Sequence, residues 1–464
     1  MPIECSRRIL STDSTVGLDC RKLWLEIVIR NTLFLSAFSL LLSGCQPATT
    51  PPLPAVVEGD SMGPHLPGNH HLVSCVECGN GFPIENLPVG DQAICPNCGF
   101  SQVAISADTA VPASGVLIHP LNRAPKRWDV VGLKLEDDHE FAVKRIVGLP
   151  GEVIEIRGGD LFNQRGVIRK SWDIQKQMRI PIFDTCKSVP GSPFQVSRRF
   201  RFKPDGGWGC SDQPVFIRES SKGIQWLDYL HWRNCKRQGK REDEFPISDH
   251  YGFNQRTTRS LHSVDDLHVR MEVWFDQDLT FAFRRNQDAG KSVEHIFTLQ
   301  YNTASGFDTK DSIGIDYRGS VSRKPLQLLK VIPSETDGTI IDFSSFDETL
   351  VMKVDGQTVF KMREIADELA DPSRPSVFDK SCQQPFRVGC QQGELSFKRF
   401  AIWRDIYYLS APAGVAQVSK TMTAGDGYLL LGDNSPKSLD SRVWAIPTVP
   451  VERILGKVGP AETE

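Results

Sequence analysis

Three short stretches and one cysteine set carry residues able to do chemistry. Ser61 stands in Val56-Val57-Glu58-Gly59-Asp60-Ser61-Met62-Gly63-Pro64-His65-Leu66. Gly59, two residues before it, lets backbone pass close to another chain or to an oxyanion, and Pro64 stiffens the exit. Lys144 stands in Phe141-Ala142-Val143-Lys144-Arg145-Ile146-Val147-Gly148-Leu149-Pro150-Gly151. No Ser-His-Asp pattern is evident, so a nucleophilic serine needs another base. A lysine serves only if its amine is neutral near pH 7, which burial in an apolar pocket can achieve. Val143 and Ile146 flank Lys144, and alternation along a strand turns Arg145 to the other face. The third stretch is Leu431-Gly432-Asp433-Asn434-Ser435-Pro436-Lys437-Ser438-Leu439-Asp440-Ser441-Arg442. Cys75-x-x-Cys78 and Cys95-x-x-Cys98, sixteen residues apart, have the spacing of a four-cysteine zinc ribbon, with Gly79 and Gly99 supplying the turn after each knuckle. Four thiolates leave no open position, so the ion would be a structural zinc. Two disulfides in an oxidising compartment are the rival.

The three stretches, in this order behind an apolar N-terminal segment, resemble the type I signal peptidases, membrane-bound serine proteases with a Ser–Lys dyad. The resemblance covers about 150 to 180 residues in three pieces. It implies Ser61 as nucleophile, Lys144 as general base, and no cofactor for catalysis. It places Gly59 where some members have an oxyanion-hole serine, so that the hole falls to backbone N–H groups, notably that of Ser61. A serine at the Ser438 position is expected to hydrogen-bond the lysine, and an Asp440–Arg442 pair to brace the loop. Val57, Met62, Leu66, Ala142 and Val143 are expected to line shallow substrate pockets that admit small residues. The implied partners are preprotein signal peptides. Arg127-Trp128-Asp129-Val130-Val131 resembles the family's R-G-D-V-V strand with Trp128 in place of Gly. His65 replaces a threonine, Ser435 an Arg or Asn, and Ala445 a Gly.

These residues must be positioned by a chain of 464 residues, too long for one ordinary core. Its net charge of -3 gives no argument for nucleic acid, and 9 Trp and 25 Phe supply real cores. Leu23 to Gly44 is mostly apolar and, as a helix, could span a bilayer core of roughly 30 Å, though Glu26 and Arg30 interrupt it. Leu42-Ser43-Gly44-Cys45 also matches a lipobox, which would anchor the chain by lipid on Cys45. In both readings the bulk of the protein lies outside the cell membrane. After Arg30 the next Lys or Arg is Arg123, so the positive flank is N-terminal. Gln46 to Pro54 is a semi-extended spacer.

Between Cys186 and Leu409 the chain leaves the family pattern. Strand-like runs recur at Val269–Phe275, Ile296–Tyr301, Ser312–Tyr317, Leu350–Val354 and Gly393–Asp405, and Asp355-Gly356 reads as a two-residue hairpin turn. This pattern looks like a β-sandwich of the concanavalin/laminin-G type, in which exposed Trp or Tyr could stack on carbohydrate. Trp208, Trp226 and Trp232 precede it.

The chain is therefore expected to be mainly β. A signal-peptidase-type, β-barrel-like catalytic domain is interrupted by a small zinc ribbon and a large β-sandwich. The divisions are 1–22 cytoplasmic tail, 23–44 membrane or lipoprotein-signal helix, 45–72 linker and Ser61 region, 73–100 ribbon, 101–185 catalytic β domain with Lys144, 186–410 sandwich, and 411–464 C-terminal motif. Two other functions fit parts of the pattern: a LexA-like self-cleaving Ser–Lys protein, and an exported sandwich that binds a ligand on an idle peptidase core.

Overall fold

The computed structural model describes residues 51–135, 141–187, 199–202, 208–210, 216–218, 225–233, 243–275, 279–287, 291–302, 312–318, 323–329, 338–363, 385–390, 395–415 and 421–460. The expected helix at 23–44 and Cys45 lie outside these residues. Among the described residues no helix is long and apolar enough to cross a membrane.

One six-stranded antiparallel sheet carries all three chemical stretches. Its order is Leu53–Val56, Gly115–His119, Ile454–Pro460, Val130–Lys134, Phe141–Gly148 and Leu429–Leu431. The chain thus returns about 300 residues later to complete the sheet it began. Pro54 cannot donate to a ladder, which suits the edge position of its strand. Alternation puts two apolar layers on the two faces. Val57, Met62, Val116, Ile118, Val143 and Val458 form one, and Val131, Leu133, Ile146, Leu430 and Ile454 form the other. Among the described residues the outer strands each have one neighbour, so the sheet is open, where the sequence suggested a barrel-like closure. The Leu429–Leu431 strand is only three residues long, and the chain leaves it at Gly432 to pass behind Ser61. A smaller sheet, ordered Gly166–Val167, Asp160–Asn163, Val153–Arg157 and Thr421–Thr423, packs alongside.

The ribbon leaves the sheet after Ser61 and returns at Gly115. Its strands His70–Ser74, Gly81–Glu85 and Ala110–Val111 form one small sheet, and Gln92–Ile94 pairs with Ser101–Ala104. The base of the loop is pinned by Ser114 N donating to Pro67 O and Val57 N donating to Ser114 O, both at 3.0 Å.

The middle of the chain is two facing antiparallel sheets of six and seven strands. Val269, Met271, Ile341, Phe343 and Met352 from one meet Leu279, Phe297, Leu299, Phe386 and Val388 from the other in a single core. The Asp355-Gly356 turn joins Thr349–Val354 to Gln357–Arg363, with φ of 45° and 78°. That is the left-handed pair such a hairpin needs. The six-stranded sheet also takes in Ile180–Asp184, which pairs with Leu395–Arg404, so the boundary expected at Cys186 falls after that strand. A seven-residue helix, Trp172–Met178, capped by Ser171, lies just before it.

The two facing sheets and the segment before them are joined by buried charge. Lys170 Nζ donates to Asp347 and, at 2.7 Å, to Asp405, both from the 186–410 segment. Oxygens of Asp160, Asp266 and Asp347 lie within 4.8 Å of one another there. Burial would drive the Lys170 proton off, but the Asp347 and Asp405 carboxylates outweigh it and hold the amine protonated.

Candidate active site

Ser61 sits in a tight turn that follows the edge strand, with Gly63 N donating to Asp60 O and Leu66 N to Met62 O. Gly59 lies at the bend before it, outside any strand. Lys144 is at the middle of Phe141–Gly148, paired with Val131 on the neighbouring strand. Its Nζ lies 2.9 Å from Ser61 Oγ and 3.2 Å from Val143 O, and the side chain is buried. The two residues, 83 positions apart, thus meet at hydrogen-bond distance.

Arg145 faces the other way, as strand alternation requires. Its guanidinium donates to Asp433 Oδ1 at 2.7 Å and Oδ2 at 2.6 Å, and to Trp128 O at 2.9 Å. Burial would push the Asp433 carboxyl up, but Arg145, aided by His65, holds it well below the usual carboxylate range. His65 Nδ1 lies 2.9 Å from Asp433 Oδ2, which gives the unusual histidine a place in the frame. Trp128 takes a φ of 74° where the family pattern has glycine. Its ring is buried among Ile154, Ile180 and Tyr408 with the Lys170 ammonium 5.2 Å from its centroid.

The third stretch wraps Ser61 from behind. Asn434 N donates to Ser61 O, and its side-chain amide donates to Asp60 O, each at 3.0 Å. Gly432 is required by close approach: a Cβ there would lie 2.4 Å from Ser61 O and 2.2 Å from Ser438 Oγ. Asp440 and Arg442 form a two-pronged pair at 2.7 and 2.6 Å, and Asp440 Oδ2 also accepts from Gly432 N. Arg442 donates to Ser435 Oγ at 2.8 Å, so Ser435 belongs to the same brace. Ser438 Oγ is buried near the site yet has no hydrogen-bond partner among the described residues, so the expected bond to Lys144 is not formed.

Of the expected pocket residues, Val57, Met62, Leu66 and Val143 pack in one cluster. Ala142 sits on the Lys144 face of its strand, against the opposite layer.

Several neighbours were not legible as site residues. Lys437 Nζ bridges Asp60 and Glu85, the latter at the end of a ribbon strand. Phe253, from a loop within the sandwich segment, stands where a Cβ on Gly63 would be 3.0 Å from its ring, and Tyr251 Oη donates to Asp433 O. Asp60 and Lys437 lie inside the motifs quoted above, but nothing local ties them to residues 85 or 253.

The cysteine Sγ atoms of Cys75, Cys78, Cys95 and Cys98 all lie within 4.8 Å of one another and are buried. The remaining described cysteine side chain, Cys186, is exposed. Trp232 is in the ribbon core and the Arg387 guanidinium lies 4.7 Å from the Trp226 ring centroid. The Trp208 side chain is outside the described atoms.

A family model, signal peptidase, peptidase S26, matches residues 30–192. That segment holds Ser61 and Lys144, and the structure adds residues 429–431 and 454–460 to the same sheet. No curated protein matches the chain. Among solved structures, similarity extends to a carbohydrate-binding module, CBM66, from Bacillus subtilis (8% identity, 44% of this chain and 94% of that one, TM-score 0.25). It extends also to a galectin from Caenorhabditis elegans (10% identity, 42% and 99%, TM-score 0.20) and to the laminarinase catalytic domain from Thermotoga maritima (12% identity, 49% and 99%, TM-score 0.26).

Proposed function

We propose that the chain is a membrane-anchored serine endopeptidase that removes signal peptides from exported preproteins on the outer side of the cell membrane. The observation that carries this reading is the 2.9 Å approach of Lys144 Nζ to Ser61 Oγ. Ser61 Oγ attacks the scissile carbonyl while the neutral Lys144 amine takes its proton. The oxyanion develops against backbone N–H groups of the turn, that of Ser61 among them. The leaving amine takes the proton back from Lys144. Water, activated by the same amine, then hydrolyses the acyl-enzyme. The substrate lies extended against the Val57 and Ala142 segments as an added strand, and the Val57, Met62, Leu66 and Val143 cluster accepts small side chains. Arg145–Asp433 and Asp440–Arg442 do no proton transfer; they hold the turn and the strand in register.

Cleavage of a preprotein by the full chain in detergent tests this. Ser61→Ala and Lys144→Met should each lower the rate by at least about 1,000-fold with the melting temperature unchanged within a few degrees. Full activity in either variant refutes the dyad. Fragments of the chain itself, appearing without preprotein, would favour the self-cleaving alternative.

A further inference from the structure

The ribbon has no part in the chemistry above, yet it is built around four sulfurs and is tied to the serine's turn. We infer that Cys75, Cys78, Cys95 and Cys98 hold one zinc ion as a tetrathiolate, and that this ion fixes the position of the Ser61 turn.

The sulfur geometry fits the ion. Tetrahedral zinc with Zn–S bonds of about 2.3 Å sets sulfurs roughly 3.8 Å apart. Cys75 and Cys98 are separated by 3.6 Å, and Cys78 and Cys95 by 3.7 Å. A disulfide needs about 2.05 Å. The backbone makes two matching knuckles. Gly79 N donates to Cys75 O and Cys75 N donates in return to Asn80 O; Gly99 N donates to Cys95 O and Cys95 N donates to Phe100 O. Gly79 and Gly99 have φ of 63° and 70°, the left-handed turn that points successive groups inward.

An independent observation calls for negative charge at this place. Arg199 is 1% exposed, and its Nε and Nη2 have no hydrogen-bond partner among the described residues. Its guanidinium lies over Trp232, itself part of the ribbon core, at 4.5 Å, and within electrostatic range of the Cys78, Cys98 and Cys95 sulfurs. A buried cation needs a counter-charge. Zinc with four thiolates carries a net charge of about -2, which supplies it.

Two routes connect this centre to the nucleophile. Glu85, ending the ribbon strand Gly81–Glu85, accepts from Lys437 Nζ, which also lies 3.3 Å from Asp60 Oδ2, next to Ser61. On the other knuckle, Ile94 N donates to Gln255 Oε1 at 2.7 Å and Asn97 Nδ2 donates to Ile182 O. Gln255 continues the loop whose Phe253 packs on Gly63. A small ribbon without its ion has too little core to hold these strands. Loss of zinc then frees Glu85 and Gln255, and with them two of the supports of the turn, leaving those from Asn434.

The full chain, purified under reducing conditions, tests both parts. Metal analysis should give one zinc per chain, lost in a Cys75→Ser/Cys98→Ser variant. Cobalt exchanged into the site should show the intense visible absorption of a tetrahedral tetrathiolate. Absence of bound metal, or two disulfides found by mass spectrometry in protein taken from the membrane's outer side, overturns the site. Glu85→Gln should retain the cobalt spectrum while kcat falls between roughly tenfold and 100-fold at constant KM. Unchanged kcat overturns the coupling. If the wild-type chain cleaves nothing, the peptidase reading has failed instead. The coupling is then read by hydrogen exchange of residues 58–66, where equal protection with and without metal overturns it.

Discussion

Asp433→Asn removes one charge and little volume from the ion pair behind the dyad. The wild-type carboxylate is fully buried and takes two bonds from Arg145, at 2.7 and 2.6 Å. The variant leaves a buried guanidinium facing an amide, with Trp128 O as its remaining charge-aligned acceptor. Breaking a buried pair from one side costs about 3–5 kcal/mol. Arg145→Met should cost a similar amount, since it strands the carboxylate. The double variant Arg145→Met/Asp433→Leu removes both charges and should lose much less than the sum, with a coupling of at least about 2 kcal/mol. The pH dependence has a fixed sign. Asp433 has its folded pKa depressed, so its contribution is full above the unfolded value near 4 and is lost as pH falls below it. The gap between wild type and Asp433→Asn is therefore complete at pH 7 and narrows below pH 4. Urea titration read by hydrogen exchange in peptides covering 141–148 and 429–445 measures these terms locally. Losses that add within about 0.5 kcal/mol would refute the pairing argument.

Trp128→Gly relieves a φ of 74° but deletes a buried indole. Strain relief of about 1–2 kcal/mol against a packing loss of about 3–5 leaves a net loss of about 2–3 kcal/mol, and a higher melting temperature would contradict it. Lys170→Met strands Asp347 and Asp405 and should destabilise by about 3–5 kcal/mol at pH 8. The deficit shrinks at pH 5, because carboxylates freed of the ammonium take up protons; an equal deficit at both values is the contrary result. Burial pushes His268 down to about 4 and His250 down to about 3. Both are neutral in the fold, so stability falls as pH drops below the unfolded value of about 6.5, by roughly 3 kcal/mol for His268 once below its folded value. A urea midpoint flat from pH 7 to 4.5 would contradict this.

The pairing of Ser61 with Lys144 came from the resemblance of their motifs, and the structure sets the two side chains 2.9 Å apart. Lys144 lies in an alternating strand with a Gly-Leu-Pro-Gly turn after it, and alternation alone sends Arg145 to the opposite face. The cysteine spacing is equally local, and the sulfurs do converge. Sandwich strands were legible for the same reason, down to the Asp355-Gly356 turn. What was missed depends on long-range closure. Nothing near Ile180 says that its strand will pair with Arg404, or that Ser171 caps a helix of only seven residues. The open sheet, and Glu85 and Phe253 at the nucleophile, follow from how the inserts fold back. Ser438 failed for a different reason: the motif fixes its position but not the rotamer of its hydroxyl, which makes no bond.

Both inserts therefore reach Ser61 from outside the strands that carry it, and Gly63 is where this can be measured. An added Cβ would lie 3.0 and 3.1 Å from two ring atoms of Phe253 and 3.3 Å from Asp60 O. The ring is fully buried and cannot swing aside, so Gly63→Ala must shift either the 251–254 loop or the turn that holds Ser61. Overpacking of this kind costs about 1–3 kcal/mol. If the loop is what resists, the same substitution should cost much less in a Phe253→Ala background, and the activity lost in Gly63→Ala should partly return there. Equal costs in both backgrounds would mean that the turn stands by itself, and that the sandwich segment only neighbours it.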